Sequence, residues 1–458
     1  MNDETFSHST RIERPAAEVF AWHERPGALA RLCPPWERVE LVKATGGVRD
    51  GATVTVRNKV GPFWTEWRVE HRDYVAGRHF RDVQVAGPFA RWEHWHRIEP
   101  AGPGACRLTD EISYRLPGGS LGRVVAGSFV RRKLAAMFAW RQERTKADLE
   151  LASRYGAVRP QRILVAGASG MVGKALVPLL ETQGHQVVRL VRRRPASEGE
   201  VFWNPAAGEL DVSTLGAVDA VVNLSGENVG AGRWTKGRRD RIVRSRIDTT
   251  RTLVEAMTKF PRKPAVFVNA SAVGFYGERG EDALTERSAV GSGFLPEVCR
   301  VWETHAEGAA RAGIRTALLR FGVVLSPTGG ALAKLLPVFL AGLGGRVGTG
   351  QQWMSWVGLD DAVGAIYHAL VAERCVGPVN VVAPEAVTNA VFSATLGRVL
   401  GRPAMLPVPA GALRLIFGEM ADATLLASTR VVPERLQESG YVFRQATLEG
   451  ALRSCLGK

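Results

Sequence analysis

Apolar and polar residues alternate along roughly the first 115 residues, which is the pattern of half-buried strands. Turn pairs such as Gly46–Gly47 and Gly87–Pro88 separate the alternating stretches. The pattern predicts a curled antiparallel sheet with strands near residues 6–12, 39–42, 53–57, 63–69, 79–85, 91–98 and 106–116. A short helix is expected after Pro15, and a long helix from about Ser120 to Tyr155 is expected to cover the sheet.

From Arg162 the pattern changes to unbroken apolar runs separated by segments long enough for crossover helices. The runs are RILVAG, QVVRLV, DAVVNLS, AVFVNAS and RTALLRFG. Such runs are typical of strands buried on both faces, so the sequence predicts an α/β doubly wound parallel sheet of the Rossmann type. After about Ser326 the alternation loosens into Gly-rich loops, which predicts a C-terminal cap. The junction between the two patterns falls at Gly156 to Gln161.

Composition and charge exclude several classes of protein. The 458 residues are 45% hydrophobic and 23% charged, which is typical of globular domains. The net charge of +15 comes mainly from arginines in both halves, and no aromatic residues interleave with the densest basic run at 233–251. We therefore expect no nucleic-acid partner. Without an apolar stretch of about 20 residues or a signal pattern, we also expect no membrane insertion and a cytoplasmic location.

A Gly-rich turn between the first predicted strand and a helix is the strongest chemical signal. Here Gly167 permits the tight turn, Gly170 lets the backbone approach a pyrophosphate, and Gly173 lets the helix pack on the strand. Amides at the helix start would hold the phosphates, although a purely structural turn is the alternative. The predicted nucleotide contacts are Gly167, Ser169, Gly170, Met171, Val172, Gly173, and, after a later strand, Leu224, Ser225 and Gly226.

The end of the second strand indicates which dinucleotide is preferred. An NAD-binding protein of this type places Asp or Glu there, whereas this chain has Arg192 followed by Arg193 and Arg194. A guanidinium binds a 2′-phosphate as a fork, so Arg192 favours NADP over NAD. The alternative is three solvated arginines.

Several longer motifs resemble the extended short-chain dehydrogenase/reductase superfamily. Four segments resemble one atypical branch of this superfamily, the NAD-dependent epimerase family. They are NLSGENVGAGRWTKGRRDRIVRSRIDTTRTLVEAM, SAVGFYGERG, EVCRVWE and GQQWMSWVGLDDAVGAI. Residues 405–455 resemble the C-terminal extension of that branch, and GPFARWEHWHRI and LTDEISYRLPGG resemble the START-like polyketide-cyclase (SRPBCC) helix-grip superfamily. The resemblance implies an α+β helix-grip ligand-binding domain at 1–157, an NAD(P)-binding domain at 158–404 and an extension at 405–458.

The chemistry of that superfamily needs a Tyr four residues before a Lys. None of the six tyrosines is followed by a lysine at that spacing, and aligning EVCRVWE with the motif places Cys299 and Glu303 at the two positions. Cys299 and Glu303 are interpreted as packing and capping residues. Ser271, at the end of a strand, is predicted to polarise a carbonyl, and Tyr276 is predicted as a displaced proton donor; the alternatives are a strand cap and a packed ring.

Other candidate residues lie later in the chain. We expect Gln352, Trp353 and Trp356 to line the substrate cleft, and 326–330 to form a substrate-side loop or a turn. The pair Asp360–Asp361 is interpreted as an N-cap of the following helix.

The sequence predicts no metal site. His94 and His96 share one face of a predicted strand, but no third ligand can be placed, so they are interpreted as a polar cavity lining or an outer surface. Five widely spaced cysteines without a C-x-x-C pair are expected to be reduced thiols.

Three hypotheses remain open. The first is an NADP-dependent oxidoreductase or epimerase acting on a small carbonyl or sugar-like substrate, fused to a domain for an apolar ligand. The second is a non-catalytic NADPH sensor, favoured by the missing Tyr/Lys pair, and the third is a lipid or polyketide-like ligand carrier. Substrate, ligand and oligomeric state are left open by the sequence.

Overall fold

A computed structural model describes residues 3–61, 63–156 and 158–458. The chain divides into two compact units, one formed by residues within 1–157 with 181–184 and 457, and one formed by 158–180, 185–456 and 458. Residue 157, where the first predicted domain ends, lies outside the described residues. In the described part of the chain, no helix is both long and apolar enough to cross a membrane.

A seven-stranded antiparallel sheet forms the first unit, in the order β1-β7-β6-β5-β4-β3-β2. Its strands are β1 (Glu4–Ile12), β2 (Val39–Thr45), β3 (Thr53–Val60), β4 (Phe63–Val75), β5 (His79–Ala86), β6 (Arg91–Pro100) and β7 (Cys106–Arg115). All seven predicted strands are confirmed. Alternate residues of β6 and β7 are buried, so one face of the sheet is covered.

Three helices complete this unit: α1 (Ala16–Glu24), α2 (Ala28–Arg31) and α3 (Gly119–Arg154). Pro15 is the N-cap of α1, and α3 contacts β1 and β7. Trp22, Phe80 and Leu149 belong to one buried cluster, and Trp92 and Phe138 belong to another. A long helix over a curled sheet is the predicted helix-grip fold.

The second unit contains an eight-stranded sheet in the order β11-β10-β9-β8-β12-β13-β15-β19. Neighbouring strands are parallel except β10 and β11. The strands are β8 (Arg162–Ala166), β9 (Gln186–Val191), β10 (Glu200–Asn204), β11 (Glu209–Leu210), β12 (Ala220–Asn223), β13 (Val266–Ala272), β15 (Arg315–Phe321) and β19 (Gly377–Val381). The predicted doubly wound sheet is confirmed.

Crossover helices join these strands: α4 (Met171–Thr182), α5 (Lys236–Lys259), α6 (Phe294–Arg311) and α8 (Leu359–Val371). Buried residues of β8, β9, β12, β13, α5 and α6 form one apolar cluster. Short 3₁₀ turns lie at Val212–Thr214 and Val273–Phe275. Since parallel strands end at one edge, this arrangement brings the turn after β8 and the ends of β12 and β13 together.

Short elements form the predicted C-terminal cap. The strand pairs are β14 (Ala283–Leu284) with β21 (Arg430–Val431), β16 (Val323–Leu325) with β18 (Trp356–Gly358), and β17 (Trp353–Met354) with β20 (Val387–Thr388). The helices are α7 (Gly330–Leu340), α9 (Asn389–Leu400), α10 (Ala410–Phe417), α11 (Glu434–Glu438) and α12 (Leu448–Leu456), with a π-helical turn at Ala421–Leu425.

Asp361 corrects one sequence interpretation. The N-cap of α8 is Gly358, so neither Asp360 nor Asp361 is the N-cap; both lie in the first turn, where Asp361 is buried. Its carboxylate accepts hydrogen bonds from the Tyr441 hydroxyl (2.9 Å) and from the backbone amides of Arg444 (2.8 Å) and Gln445 (3.0 Å). The predicted capping role of Asp361 is therefore wrong, because this carboxylate holds the loop before α12.

Two side chains form hydrogen bonds with backbone groups of β19. The amide of Asn380 donates to Glu286 Oε1 (2.9 Å), and Arg435 Nη1 donates to the carbonyl of Pro378 (3.1 Å). Burial raises the pKa of Glu286. The outer edge of the sheet is thus closed by a carboxyl group and a guanidinium group.

Candidate functional site

The turn after β8 has the geometry that its three glycines predict. Gly167 has φ of +82°, and a Cβ there would lie 2.7 Å from the carbonyl carbon of Leu224. A Cβ on Gly173 would lie 2.3 Å from Gly167 O, so α4 packs directly on the turn. At Gly170 the nearest atom to a Cβ is Gly167 O at 3.3 Å, with no other neighbour within 4 Å. The position predicted to face a pyrophosphate is therefore open.

The segment after β12 closes the other side of this turn. Leu224 N donates to Ala166 O (2.9 Å), and Ser225 N donates to the side chain of Asn223 (3.1 Å). A Cβ on Gly226 would lie 3.2 Å from the guanidinium carbon of Arg246. The predicted contacts Leu224, Ser225 and Gly226 thus lie next to Gly167 or to the partly buried Arg246.

The first two of the three arginines after β9 differ in their partners. Arg193 makes a bidentate pair with Glu200 (2.9 and 2.7 Å), and its guanidinium also donates to Arg194 O. Arg192 is exposed, and no carboxylate among the described residues pairs with it. Of these two neighbours, Arg192 is the one whose guanidinium is available to a phosphate.

Ser271 and Tyr276 belong to one buried polar network that the sequence did not predict. Ser271 Oγ donates to Glu303 Oε1 (2.6 Å), and Arg320 holds both oxygens of Glu303 (2.8 and 2.7 Å). Arg320 also donates to the Tyr276 hydroxyl (2.9 Å), which donates to Asn380 Oδ1 (2.7 Å). Glu303 therefore forms a buried ion pair at the end of β13.

Tyr276 and Cys299, the two other side chains near Ser271 that could carry a proton, are both buried. Tyr276 has no exposed surface, and burial raises the pKa of its hydroxyl. Burial, with Glu303 nearby, raises the pKa of Cys299 to about 11. A thiol with that pKa is protonated at neutral pH, so Cys299 is not an activated nucleophile.

The structure places the three predicted substrate residues differently from one another. Gln352 is buried, and its amide donates to the carbonyls of Val347 and Leu425. Trp353 is partly exposed, with the Arg430 guanidinium 4.6 Å from its ring centre. Trp356 has no exposed surface and packs in the apolar cluster of the cap. Only Trp353 presents a partly open aromatic face.

The loop at 326–330 lies beside the phosphate-binding turn. A Cβ on Gly329 would be 3.0 Å from the sulfur of Met171, the first residue of α4. Ser326 and Thr328 share a hydrogen bond of 2.8 Å between their hydroxyls. The loop therefore covers the start of α4.

The inner face of the first unit carries a charged cluster that the sequence analysis missed. Asp82 lies opposite His94, and Asp110 lies opposite His96, in the register of β5, β6 and β7. His94, His96 and Asp110 are buried, which excludes the outer-surface interpretation. The sequence could not place a third side chain beside His94 and His96. The neighbouring strands supply Asp82 and Asp110 there.

Hydrogen bonding sets the charge of these two carboxyls. Burial alone would raise the pKa of Asp82, but hydrogen bonds from His71, His94 and His96 outweigh it and hold that pKa well below its usual range. Asp110 is likewise held well below its usual pKa, because His94 and His96 outweigh its burial. Both groups are therefore carboxylates at neutral pH.

Three family descriptions match successive parts of the chain. "Polyketide cyclase / dehydrase and lipid transport" matches residues 3–150, "NAD dependent epimerase/dehydratase family" matches 163–382, and a "domain of unknown function" matches 408–455. The order agrees with the predicted fusion.

Individual proteins resemble this chain over one or both units. An epimerase family protein of Mycobacterium bovis is 42% identical over 63% of this chain and 96% of its own length. The crystal structure of human epimerase family protein SDR39U1 (isoform 2) with NADPH is 35% identical, with a TM-score of 0.60, over 64% of this chain and 99% of that one. A nucleoside-diphosphate sugar epimerase from Corynebacterium glutamicum is 32% identical, with a TM-score of 0.81, over 99% of this chain and 90% of that one.

Proposed function

Because the chain belongs to the NAD dependent epimerase/dehydratase family, we propose that it binds NADP(H) and acts as an oxidoreductase or epimerase on a carbonyl or sugar-like substrate. The observation that carries the proposal is the turn at Gly167, Gly170 and Gly173, which is closed against the protein at the first and third glycine and open at the second. Such a turn leaves room for a pyrophosphate where a side chain would obstruct it. The human relative contains NADPH in its crystal structure.

The residues present fit NADP better than NAD. Arg192 stands where NAD-binding proteins have a carboxylate, and its guanidinium has no carboxylate partner among the described residues. The amides at the start of α4, which begins at Met171, would hold the pyrophosphate. In this proposal residues 158–404 form the nucleotide and substrate domain, and 405–458 form its extension.

The reacting centre would lie at the end of β13. A nicotinamide cofactor, when bound, would supply or accept the hydride. Ser271 would hold or pass a proton at Oγ, with Glu303 as the group that orients the hydroxyl. Tyr276 enters the proposal as a positioning residue for Arg320, because its hydroxyl is enclosed by Arg320 and Asn380. Trp353 would line the substrate side.

Calorimetric titration with NADPH and NADH tests the cofactor assignment. A charge-assisted hydrogen bond contributes roughly 1.5–3 kcal/mol, so the wild type is expected to bind NADPH about ten- to a hundredfold more tightly than NADH. Arg192→Glu should erase that preference and leave NADH affinity nearly unchanged, since the turn still holds the pyrophosphate. Gly170→Val should weaken both nucleotides.

Arg193→Ala is the matched control, because Glu200 already holds the Arg193 guanidinium. This variant should keep the NADPH preference. Equal affinities of the wild type for the two nucleotides would reject the role of Arg192. Failure to bind either nucleotide would reject the proposed function.

A non-catalytic NADPH-binding sensor is the second candidate. The observation in its favour is that the Tyr276 hydroxyl is buried and the Tyr/Lys pair is missing. A screen of carbonyls, alcohols and sugar nucleotides distinguishes the two candidates. Turnover that falls about 10²-fold in Ser271→Ala supports the enzyme, whereas tight NADPH binding without turnover supports the sensor.

We further propose that the first unit binds an apolar ligand in a cytoplasmic protein. A cavity of about 260 Å³ opens near the junction of β7 and α3, where Tyr114 and Leu116 line it together with the charged residues Glu4, Arg115 and Arg123. Exposed apolar residues, including Leu121 and Phe129, lie on the first turns of α3. The family described as "polyketide cyclase / dehydrase and lipid transport" matches this unit, and the five free thiols favour a reducing compartment.

A further inference from the structure

Four adjacent strands of the first unit bring five ionisable side chains to one face. His71 on β4 lies opposite Asp82 on β5, Asp82 lies opposite His94 on β6, and His96 lies opposite Asp110 on β7. The three imidazoles and Asp110 are between 2% and 7% exposed, and the Asp82 side chain is 19% exposed. The cluster therefore lies inside the unit, with Asp82 as its contact with solvent.

Asp110 orients the two neighbouring imidazoles. Its Oδ1 accepts a hydrogen bond from His94 Nε2 at 2.9 Å and lies 2.9 Å from His96 Nδ1. Its Oδ2 accepts a hydrogen bond from Gln142 Nε2 on α3 at 2.7 Å. In a neutral imidazole with one ring nitrogen held by a carboxylate, the opposite nitrogen carries the lone pair that a metal ion needs.

Those opposite nitrogens converge on Asp82. His94 Nδ1 lies 3.6 Å and His96 Nε2 lies 3.4 Å from Asp82 Oδ2, and the three ligand atoms lie within 4.8 Å of one another. A charge-assisted hydrogen bond is shorter, at about 2.7–2.9 Å. Two ligand atoms held about 2.0–2.1 Å from one tetrahedral ion are about 3.4 Å apart, which matches these separations.

Asp82 Oδ1 lies 3.0 Å from His71 Nε2, so Oδ2 is the oxygen of Asp82 that faces the two converging ring nitrogens. A divalent ion would give this oxygen and the two converging ring nitrogens one common partner.

We propose that Asp82, His94 and His96 bind one divalent transition-metal ion, with Asp110 as the residue that positions both imidazoles. Two imidazoles and one carboxylate form a ligand set used for Zn(II) and Fe(II), and three protein ligands leave a coordination position for water or an oxygen-donor ligand. The site lies in the first unit and is independent of the proposed nucleotide site.

Equilibrium dialysis of the full-length, tag-free protein against Zn(II), followed by elemental analysis, tests the proposal. We expect one Zn(II) per chain, and Co(II) in its place should give the visible absorption of a nitrogen- and oxygen-ligated ion. Asp82→Ala and His96→Ala should abolish this binding. Asp110→Asn should weaken it about 10- to 100-fold, the usual effect of losing a carboxylate behind a ligating histidine.

His79→Ala is the matched control. His79 is on β5 with Asp82, but it lies an odd number of residues away and packs against Trp95 on the opposite face. Circular dichroism and the thermal transition show whether each variant is folded, and Asp82→Asn provides a near-isosteric variant if Asp82→Ala unfolds. No Zn(II) or Co(II) binding by the folded wild type, or equal loss in His79→Ala, would overturn the proposal in favour of a protonated ionic cluster.

Discussion

The ion pair between Glu303 and Arg320 is the buried charge contact nearest to the proposed reacting centre. Both side chains are less than 10% exposed, and the pair is bidentate. Removing one member of a buried pair leaves the other charge without compensation. The pair therefore contributes to the stability of the second unit and also orients Ser271, which donates to Glu303.

Arg320→Met should lower the free energy of unfolding by about 3–5 kcal/mol, because Glu303 would remain as a buried, unpaired carboxylate. The double variant with Glu303→Gln should lose less than the sum of the two single variants, since neither charge remains. Urea denaturation measures both effects. The matched control is Arg300→Met, whose pair with Glu297 is about half exposed on α6 and should contribute less than about 1 kcal/mol. A loss in Arg320→Met no larger than in Arg300→Met would contradict the prediction.

Individual residues were predictable where the chemistry is local. The glycines of the phosphate-binding turn lie between one strand and one helix. Their spacing in the sequence therefore determines their arrangement in the structure. Arg320 and Asp82 could not be assigned, because their partners come from distant segments: helix α6 and the turn after β13 for Arg320, and the neighbouring strands β4 and β6 for Asp82. One signal was present: an arginine inside the apolar run RTALLRF indicates a buried charge that needs a partner.

Among the elements, α8 and the C-terminal extension are joined by a buried histidine. His368 Nε2 and Ser439 Oγ form a hydrogen bond of 2.8 Å. Burial, and then the nearby charge of Arg315, lower the pKa of His368 to about 4. The neutral imidazole is therefore the form that the folded protein favours.

The free energy of unfolding should fall as the pH is lowered from about 6.5 towards 4. In that window the unfolded chain binds a proton on His368 that the folded chain excludes, so the stabilisation is present above the unfolded pKa and is lost below it. Urea denaturation at several pH values measures this slope in the wild type and in His368→Gln. The variant keeps a hydrogen-bonding group and should show a shallower slope; an equal slope would assign the acid sensitivity to other groups.

Strands were easier to predict than the ends of helices. The period of two in β1 to β7 and the apolar runs of β8, β9, β12, β13 and β15 come from burial on one or both faces, which the sequence records directly. The role of Asp361 was misassigned because an Asp near a helix start favours capping, whereas here a distant loop supplies its hydrogen-bond donors.

For the whole molecule, the two units should respond to different ligands. A ligand stabilises only the unit that it binds, so NADPH should raise the midpoint of one thermal transition and Zn(II) should raise that of the other. Differential scanning calorimetry of the full chain, and of fragments ending near Gly156 or beginning near Val158, measures these shifts. A single transition that both ligands raise equally, with fragments that do not fold, would show that the units share one cooperative core.

The two edges of the eight-stranded sheet affect how readily the chain aggregates while it folds. At one margin β11 has two residues, and at the other the Asn380 amide and the Pro378 carbonyl already bond to Glu286 and Arg435. Unpaired strand edges are where a second copy of a chain adds and aggregation begins. A parallel sheet assembled from distant segments forms slowly, so short or occupied edges limit self-association during that time. We expect Glu286→Ala to increase aggregation during refolding. This effect should appear before any effect on ligand binding.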